Sequence, residues 1–247
     1  IQKNQKISAK PGTESKHDKL LQIYVTKTNA YVCIFVDEGL GGTVNNSQPQ
    51  KSICCVTDEF SAVNCLETIK QGFETKLVIC YETREDVIHL VKIVDKILPR
   101  MLKSEVELEF HKISKFGKKS EDLLSKNSLI TNILIKSAKE KQISHISLAT
   151  SPLIFPSTYI ETLQKRIFSA GIIPHISLSG IDSEIMKNAK EIGMEKYIPK
   201  IEKFLKSNLT KSKSKLKNNE KTVKKIIKVK LGPNNVHTIL DSLEIEH

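Results

Sequence analysis

Short apolar runs alternate with longer amphipathic segments over residues 52–193 of this chain, and this alternation limits the fold more than any other feature of the sequence. The first two apolar runs are Ser52–Val56 and Lys76–Tyr81, and an amphipathic segment follows each of them. Strands separated by helices at this spacing form a parallel sheet with helices on both faces. The sequence therefore predicts an α/β main domain.

The ends of the first two helices are marked by residues that favour capping. Asp58 is placed to cap a first helix, and Gly72 ends it where a left-handed residue is favoured. Thr83 caps a second, strongly amphipathic helix, which Pro99 stops. Glu105–Phe110 then alternates apolar and acidic residues, which predicts an edge or half-buried strand.

The rest of the main domain continues the same alternation. We expect helices near 120–141, 156–170 and 182–192, with strands at 145–150 and 172–178 between them.

The remaining segments are assigned by composition. Residues 1–19 are polar and predict a disordered lead-in, and 20–50 predict a β-hairpin and linker around Thr26–Asn29. Residues 51–206 form the main domain, and 207–247 a lysine-rich tail. Within this tail, a strand at 226–231 and a short helix at 236–243 are expected to dock on the main domain.

The cysteine and histidine patterns argue against a metal site or a disulfide framework. All five cysteines lie in apolar contexts before residue 81, and Cys54 and Cys55 are adjacent on one predicted strand, so they point to opposite faces. The seven histidines show no ligand spacing. Free buried thiols suit a reducing cytosol, so we expect a cytoplasmic protein without a metal. No apolar run is long enough to cross a membrane.

The formal net charge of +11 points to a polyanionic partner, and much of the excess lies between residues 203 and 230. Two interpretations remain open: a solvated lysine-rich tail, or a segment that contacts RNA phosphates. The second interpretation assigns RNA binding to six lysines of the tail: Lys211, Lys213, Lys215, Lys217, Lys224 and Lys225.

Three segments, in order and at matching spacing, resemble the catalytic domain of tRNA 4-thiouridine synthetases (the ThiI family), especially archaeal forms. Ala30–Glu82 is similar to the family's domain junction, first strand, phosphate loop and first helix. Ala138–Leu153 fits a later helix, strand and loop, and Gly180–Gly193 a late G-x-D-K-x-E-I run. The resemblance covers about residues 20–195 and implies a Rossmann-like, PP-loop domain. The family's upstream ferredoxin-like and THUMP domains have no counterpart beyond a stretch like their last strand.

The resemblance implies ATP-dependent sulfur transfer to tRNA, but the residues at the implied nucleotide site differ from the family pattern. The family's S-G-G-x-D-S loop cradles ATP phosphates, whereas the aligned residues here read V-T-D-E-F-S. The loop after the fourth strand has likewise lost its glycine-rich pattern and carries two prolines and a phenylalanine. No catalytic residue is assigned, and the degenerate nucleotide-binding positions are Thr57, Asp58, Ser61, Thr150 and Ser151.

Three functions therefore remain open. The first is a degenerate PP-loop domain linked to tRNA binding or modification, with no cofactor. The second is an active tRNA thiouridine-forming enzyme with an atypical loop, which would require ATP and Mg²⁺. The third is a protein-interaction subunit, in which Leu153–Phe155 either contacts a partner or fills the former nucleotide pocket.

Overall fold

A computed structural model describes residues 22–33, 43, 46–117, 119–180, 183–191, 193–206 and 222–245. The chain divides into two compact units, residues 1–41 and 42–247. The predicted lead-in at 1–19 lies outside the described residues.

The first unit contains an antiparallel hairpin of β1 (Gln22–Val25) and β2 (Ala30–Cys33). The N–H group of Thr26 donates to the carbonyl of Asn29 at 2.8 Å and closes the turn. The hairpin predicted around Thr26–Asn29 is therefore confirmed.

The second unit is built on a sheet of six strands. In spatial order these are β7 (Ile173–His175), β6 (His145–Ser147), β3 (Lys51–Val56), β4 (Glu74–Tyr81), β5 (Glu105–Lys112) and β8 (Val223–Lys230). The first five are parallel to one another, and β8 runs antiparallel to β5.

Seven α-helices among the described residues surround this sheet, and a 3₁₀ turn at Leu98–Met101 follows the second of them. The helices are α1 (Glu59–Lys70), α2 (Arg84–Ile97), α3 (Ser120–Glu140), α4 (Ser157–Ser169), α5 (Ser183–Glu191), α6 (Ile198–Leu205) and α7 (Asn235–Ser242). The α/β Rossmann-like fold class is confirmed.

Helices cover both faces of the sheet. All residues of β3 after Lys51 are buried, and neighbouring side chains on a strand point to opposite faces. Cys55 lines a cavity together with α3, whereas Cys54 lies beside Cys65 of α1. The core of the unit therefore lies on both sides of β3 and β4.

The helix ends follow the local sequence. Asp58 caps α1 in a reciprocal pair with Ser61, and Thr83 caps α2 in the same way with Asp86. Gly72 follows α1 with φ of +87°, in the left-handed region that favours glycine. The predicted boundaries of both helices are confirmed, because each depends on contacts within three or four residues.

The surroundings of β5 differ from the prediction. Glu105–Phe110 was predicted as an edge or half-buried strand, but β8 pairs with it and takes the edge position. The cross-strand register places Glu105 opposite Lys230 and Glu107 opposite Lys228. Opposite charges along two facing strands favour this pairing. The acidic alternation thus belongs to an interior strand with a lysine-rich neighbour.

The two strands beyond β3 are shorter than predicted. β6 ends at Ser147 instead of residue 150, because the chain turns there into the loop before α4. β7 has only three residues and includes Pro174, which lacks a backbone N–H and therefore suits an edge strand.

Helix α7 and strand β8 complete the core on one side. Ile227 and Val229 of β8 and Ile239 and Leu240 of α7 are buried, and Asn235 donates to Asp95 of α2 at 3.0 Å. The strand and helix expected in the tail are both present, and they pack on the main sheet. Among the described helices, none is both long and apolar enough to span a bilayer.

Candidate nucleotide-site region at the carboxyl edge of the sheet

The candidate site lies where the direction of strand addition reverses. From β3 the chain adds β4 and β5 on one side and later β6 and β7 on the other. Ligands of open α/β sheets bind outside the carboxyl ends of the strands at such a switch point. The loops after β3 and β6, which carry the predicted nucleotide-binding positions, meet there.

The loop between β3 and α1 is closed by the side chains of Asp58 and Ser61. The Ser61 hydroxyl oxygen accepts hydrogen bonds from the N–H groups of Thr57 at 2.9 Å and Asp58 at 3.0 Å. The N–H of Ser61 donates to Asp58 Oδ1 at 2.7 Å. A phosphate-binding loop needs such N–H groups directed at the ligand. Here three of them are directed at the protein's own oxygens.

Carboxylates also alter the charge at the start of α1. Asp58 is the N-cap, and Glu59 is the first helical residue. At 4 Å and an effective dielectric constant of about 20, one carboxylate repels a unit negative charge by about 4 kcal/mol. The positive end of the helix dipole is therefore offset by the protein's own acids.

Glu59 joins α1 to two other helices. Its Oε1 atom lies 2.9 Å from His89 Nε2 on α2 and accepts a hydrogen bond from Lys200 Nζ on α6 at 2.8 Å. Burial alone would raise the pKa of Glu59, but the hydrogen bonds from Lys200, its own backbone and His89 outweigh burial and lower it. The carboxylate is thus ionised and fully engaged within the fold. The His89 ring also meets Tyr197 edge-on, with centroids 5.4 Å apart.

The loop between β6 and α4 carries two buried apolar side chains. Ile154 and Phe155 are 0% and 1% exposed, and Phe155 stacks on Tyr159. The Tyr159 hydroxyl donates to the carbonyl of Leu124 on α3 at 2.5 Å. Burial removes Ile154 and Phe155 from the partner contact considered for Leu153–Phe155, and filling of the former nucleotide pocket stays a prediction. Leu153 alone is exposed.

Ser151 is part of the turn in that loop. Its carbonyl accepts the N–H groups of Ile154 at 3.0 Å and Phe155 at 2.9 Å, and its hydroxyl accepts that of Leu153 at 3.3 Å. The side chain is fully buried. These contacts give Ser151 a structural role in the turn.

A small cavity remains at the switch point, between β3, α3 and the end of β6. Its volume is about 20 Å³, which is enough for one water molecule. Thr57, Ser61 and Thr150 all line it, so the structure brings these three predicted positions together. The Thr150 hydroxyl is buried and has no hydrogen-bond partner among the described residues.

Two thiols lie side by side near this cavity. Cys55 Sγ is 3.4 Å from Cys80 Sγ, and both residues are buried. Burial raises the pKa of the Cys55 thiol well above its usual value, and the Cys80 side chain raises it further. The thiol is therefore protonated at neutral pH and is a poor nucleophile. In the described part of the chain, no three His, Cys, Asp or Glu side chains are grouped as a metal site would require.

The predicted RNA-binding lysines fall into two groups. Lys211, Lys213, Lys215 and Lys217 lie outside the described residues. Lys224 and Lys225 lie on β8 and form ion pairs, Lys224 with Glu109 at 3.1 Å and with Glu140 at 2.5 Å, and Lys225 with Glu244 at 3.1 Å. The two predicted RNA-binding lysines on β8 thus both have carboxylate partners within the fold.

Glu82, which no sequence motif marked, also organises this edge. Glu82 follows β4, and its Oε1 atom accepts a hydrogen bond from Lys126 of α3 at 2.7 Å. Its Oε2 atom accepts the N–H of Phe116 at 3.1 Å, in the loop before α3. The sequence signal for Glu82 was its position directly after a buried strand. In a parallel sheet such a position lies at the edge where ligands bind.

Comparison with known proteins finds likenesses in structure only. No family model and no curated protein matches the sequence. A 4-thiouridine synthetase solved as a complex with RNA and bound ATP matches with a TM-score of 0.55 and 18% identity, over 80% of this chain and 56% of that chain. PH1313 from Pyrococcus horikoshii Ot3 matches with a TM-score of 0.50 and 15% identity, over 73% of this chain and 53% of that chain.

The chain therefore spans about half the length of these solved structures. At this identity the likeness concerns the fold. The fold expected from the resemblance is confirmed: it is like that of a 4-thiouridine synthetase.

Proposed function

We propose that this protein is a degenerate PP-loop domain related to tRNA 4-thiouridine synthetases, which serves tRNA binding or modification without ATP-dependent chemistry of its own. One observation carries the proposal: Ser61 and Asp58 accept the loop N–H groups that a phosphate would need. The synthetase-like fold supports the link to tRNA.

Two features of the loop support the proposed loss of ATP binding. The side chains of Asp58 and Ser61 accept the loop N–H groups, and Asp58 adds a carboxylate at the start of α1. The cavity beside the loop admits one water molecule. An active enzyme would have to break the Asp58–Ser61 pair before a phosphate could reach these N–H groups.

Thermal unfolding with and without Mg²⁺–ATP tests this part of the proposal. A ligand at a hundred times its Kd stabilises a folded protein by about 2.7 kcal/mol, which raises the Tm of a domain of this size by about 5–10 °C. We expect that adding 10 mM Mg²⁺–ATP causes no such rise in Tm, whether bulk tRNA is absent or is present in both samples. A rise of several degrees would instead support the active-enzyme alternative.

For RNA, we propose that the lysine-rich tail contacts phosphates through Lys211, Lys213, Lys215 and Lys217. Such contacts release counterions, so the affinity for tRNA should fall steeply with salt. Filter binding with bulk tRNA at several salt concentrations measures this slope. Changing these four lysines to Gln should reduce the slope by about 3 to 4.

The variant must be made by substitution and not by deletion of the tail. Deleting residues 207–247 would also remove β8 and α7, which belong to the core. Substitution leaves them in place. A matched control changes four exposed lysines on other surfaces to Gln: Lys92, Lys136, Lys139 and Lys165. Equal loss of binding in both variants, or no binding by the parent protein, would overturn the RNA part of the proposal.

The protein-interaction alternative has less support from the structure than from the sequence. Its candidate contact was Leu153–Phe155, of which only Leu153 is exposed. Co-purification with a fixed stoichiometric partner remains its test.

A further inference from the structure

We propose that the end of β5 and the loop that follows it form a phosphate-contacting surface at the carboxyl edge of the sheet, through Lys112, Lys115 and Lys119. We call these three residues the edge lysines. The inference rests on the proposed RNA-binding function and assigns it a second surface, separate from the lysine-rich tail. The partner is the sugar–phosphate backbone of RNA.

The charge of this loop is of one sign. Residues 111–120 read H-K-I-S-K-F-G-K-K-S and contain no acid. All three edge lysines are exposed, and among the described residues none of them forms an ion pair. They differ in this from Lys224 and Lys225, whose charges are matched by carboxylates.

The loop is held in place by its main chain. The N–H of Ile113 donates to the carbonyl of Tyr81 at 2.9 Å, and the Ile113 side chain is buried. The N–H of Phe116 donates to Glu82, which also binds Lys126 of α3. A surface fixed before binding loses less conformational entropy when a ligand docks.

Acidic residues lie nearby, but most of them are engaged with backbone groups of the helix starts. Asp86 accepts the N–H of Thr83, and hydrogen bonds from its own backbone and from Thr83 lower the pKa of Glu85. Asp122, in the first turn of α3, lies so close to Gly117 that a Cβ atom there would be 2.2 Å from its Oδ2. The positive ends of α2 and α3 partly offset these charges. Glu85 also feels the charge of Lys115, which contributes to the lowered pKa of that carboxyl, but no edge lysine comes within ion-pair distance of an acid among the described residues.

Described residues on both sides of the lysine-rich stretch 207–221 reach the same edge. Val223, the first residue of β8, pairs with Lys112, the last residue of β5. At the other end of the tail, α6 is attached through Lys200 to Glu59 at the start of α1. The side chain of Lys200 and Val223, which precede and follow residues 207–221, are therefore both at the carboxyl edge. This placement would put RNA bound by residues 207–221 within reach of the edge lysines.

The test is the variant Lys112→Gln, Lys115→Gln, Lys119→Gln, compared with the parent and with a triple control, Lys136→Gln, Lys139→Gln, Lys165→Gln. The control residues are exposed and lie in the later turns of α3 and α4, toward the opposite edge. Urea unfolding of each variant first establishes that the fold is intact.

Binding of bulk tRNA is then measured from 50 to 200 mM salt. We expect the edge variant to bind at least about tenfold more weakly than the parent at low salt, with a salt slope smaller by about 2 to 3. In the control variant, neither the affinity nor the salt slope should change by more than about half as much. A parent that binds while the edge variant keeps the parental slope would overturn this inference and leave the proposed function standing. A parent that does not bind tRNA would overturn both.

Discussion

Replacing Glu109 by Gln should destabilise the protein by removing the charge at the centre of a buried network. Glu109 lies on β5 and its side chain is 2% exposed. Its carboxylate contacts His111 at 2.8 Å, Ser137 at 2.8 Å and Lys224 at 3.1 Å. Through Lys224 it links the antiparallel strand β8 to the rest of the sheet.

The magnitude follows from the pKa of this carboxyl group. Burial alone would raise the pKa of Glu109, but hydrogen bonds from His111, Ser137 and Lys224 outweigh burial and lower it to about 2. The difference between this pKa of about 2 and the ordinary pKa of 4.5 corresponds to about 3 kcal/mol of unfolding free energy at neutral pH. Because the folded-state pKa is the lower one, this contribution is complete above pH 4.5 and disappears as the pH falls through 2.

We therefore expect Glu109→Gln to lower the free energy of unfolding by about 2–3 kcal/mol at pH 7, since an amide keeps part of the hydrogen bonding. Urea unfolding at a series of pH values measures this. The variant should also lose much of the decline in stability that the parent shows between pH 5 and 2. Backbone amides of β8 should exchange with solvent faster.

Glu107→Gln is the matched control. Glu107 lies on the same face of β5, but its side chain is 28% exposed and its ion pair is with Lys141. A partly exposed pair contributes less than about 1 kcal/mol. If Glu109→Gln costs no more than Glu107→Gln, or if the acid decline is the same as in the parent, the argument from burial and charge is wrong.

Two further predictions concern the cavity and the tail. Thr150→Val should raise the free energy of unfolding in urea by about 1 kcal/mol, because it removes a buried hydroxyl that has no partner in the described structure; a decrease would show that a bound water satisfies the hydroxyl. A chain ending at residue 221 should fail to show the cooperative unfolding of the full chain by circular dichroism, because it loses the buried residues Ile227, Val229, Ile239 and Leu240, worth about 1.5–3 kcal/mol each. A truncated chain that unfolds cooperatively with parental stability would refute the assignment of β8 and α7 to the core.

Local sequence patterns were enough to predict the alternation of strands and helices, the caps of α1 and α2, and the hairpin at Thr26–Asn29. These features depend on side-chain period and on contacts between residues three or four positions apart, so they can be read from a short window. The difference between residues 56–61 and a phosphate-loop pattern was also visible in the sequence, because it needs only residue types at given positions.

The tertiary structure decided which residues complete the sheet and the candidate site. The pairing of β8 with β5, the contact of Lys224 with Glu109 and the bridge from Glu82 to α3 join residues far apart in sequence. Lysines of the tail looked alike in the sequence, yet Lys224 and Lys225 have carboxylate partners in the fold. Which charges neutralise each other depends on how segments distant in sequence pack together. The spacing of residues within one segment does not show it.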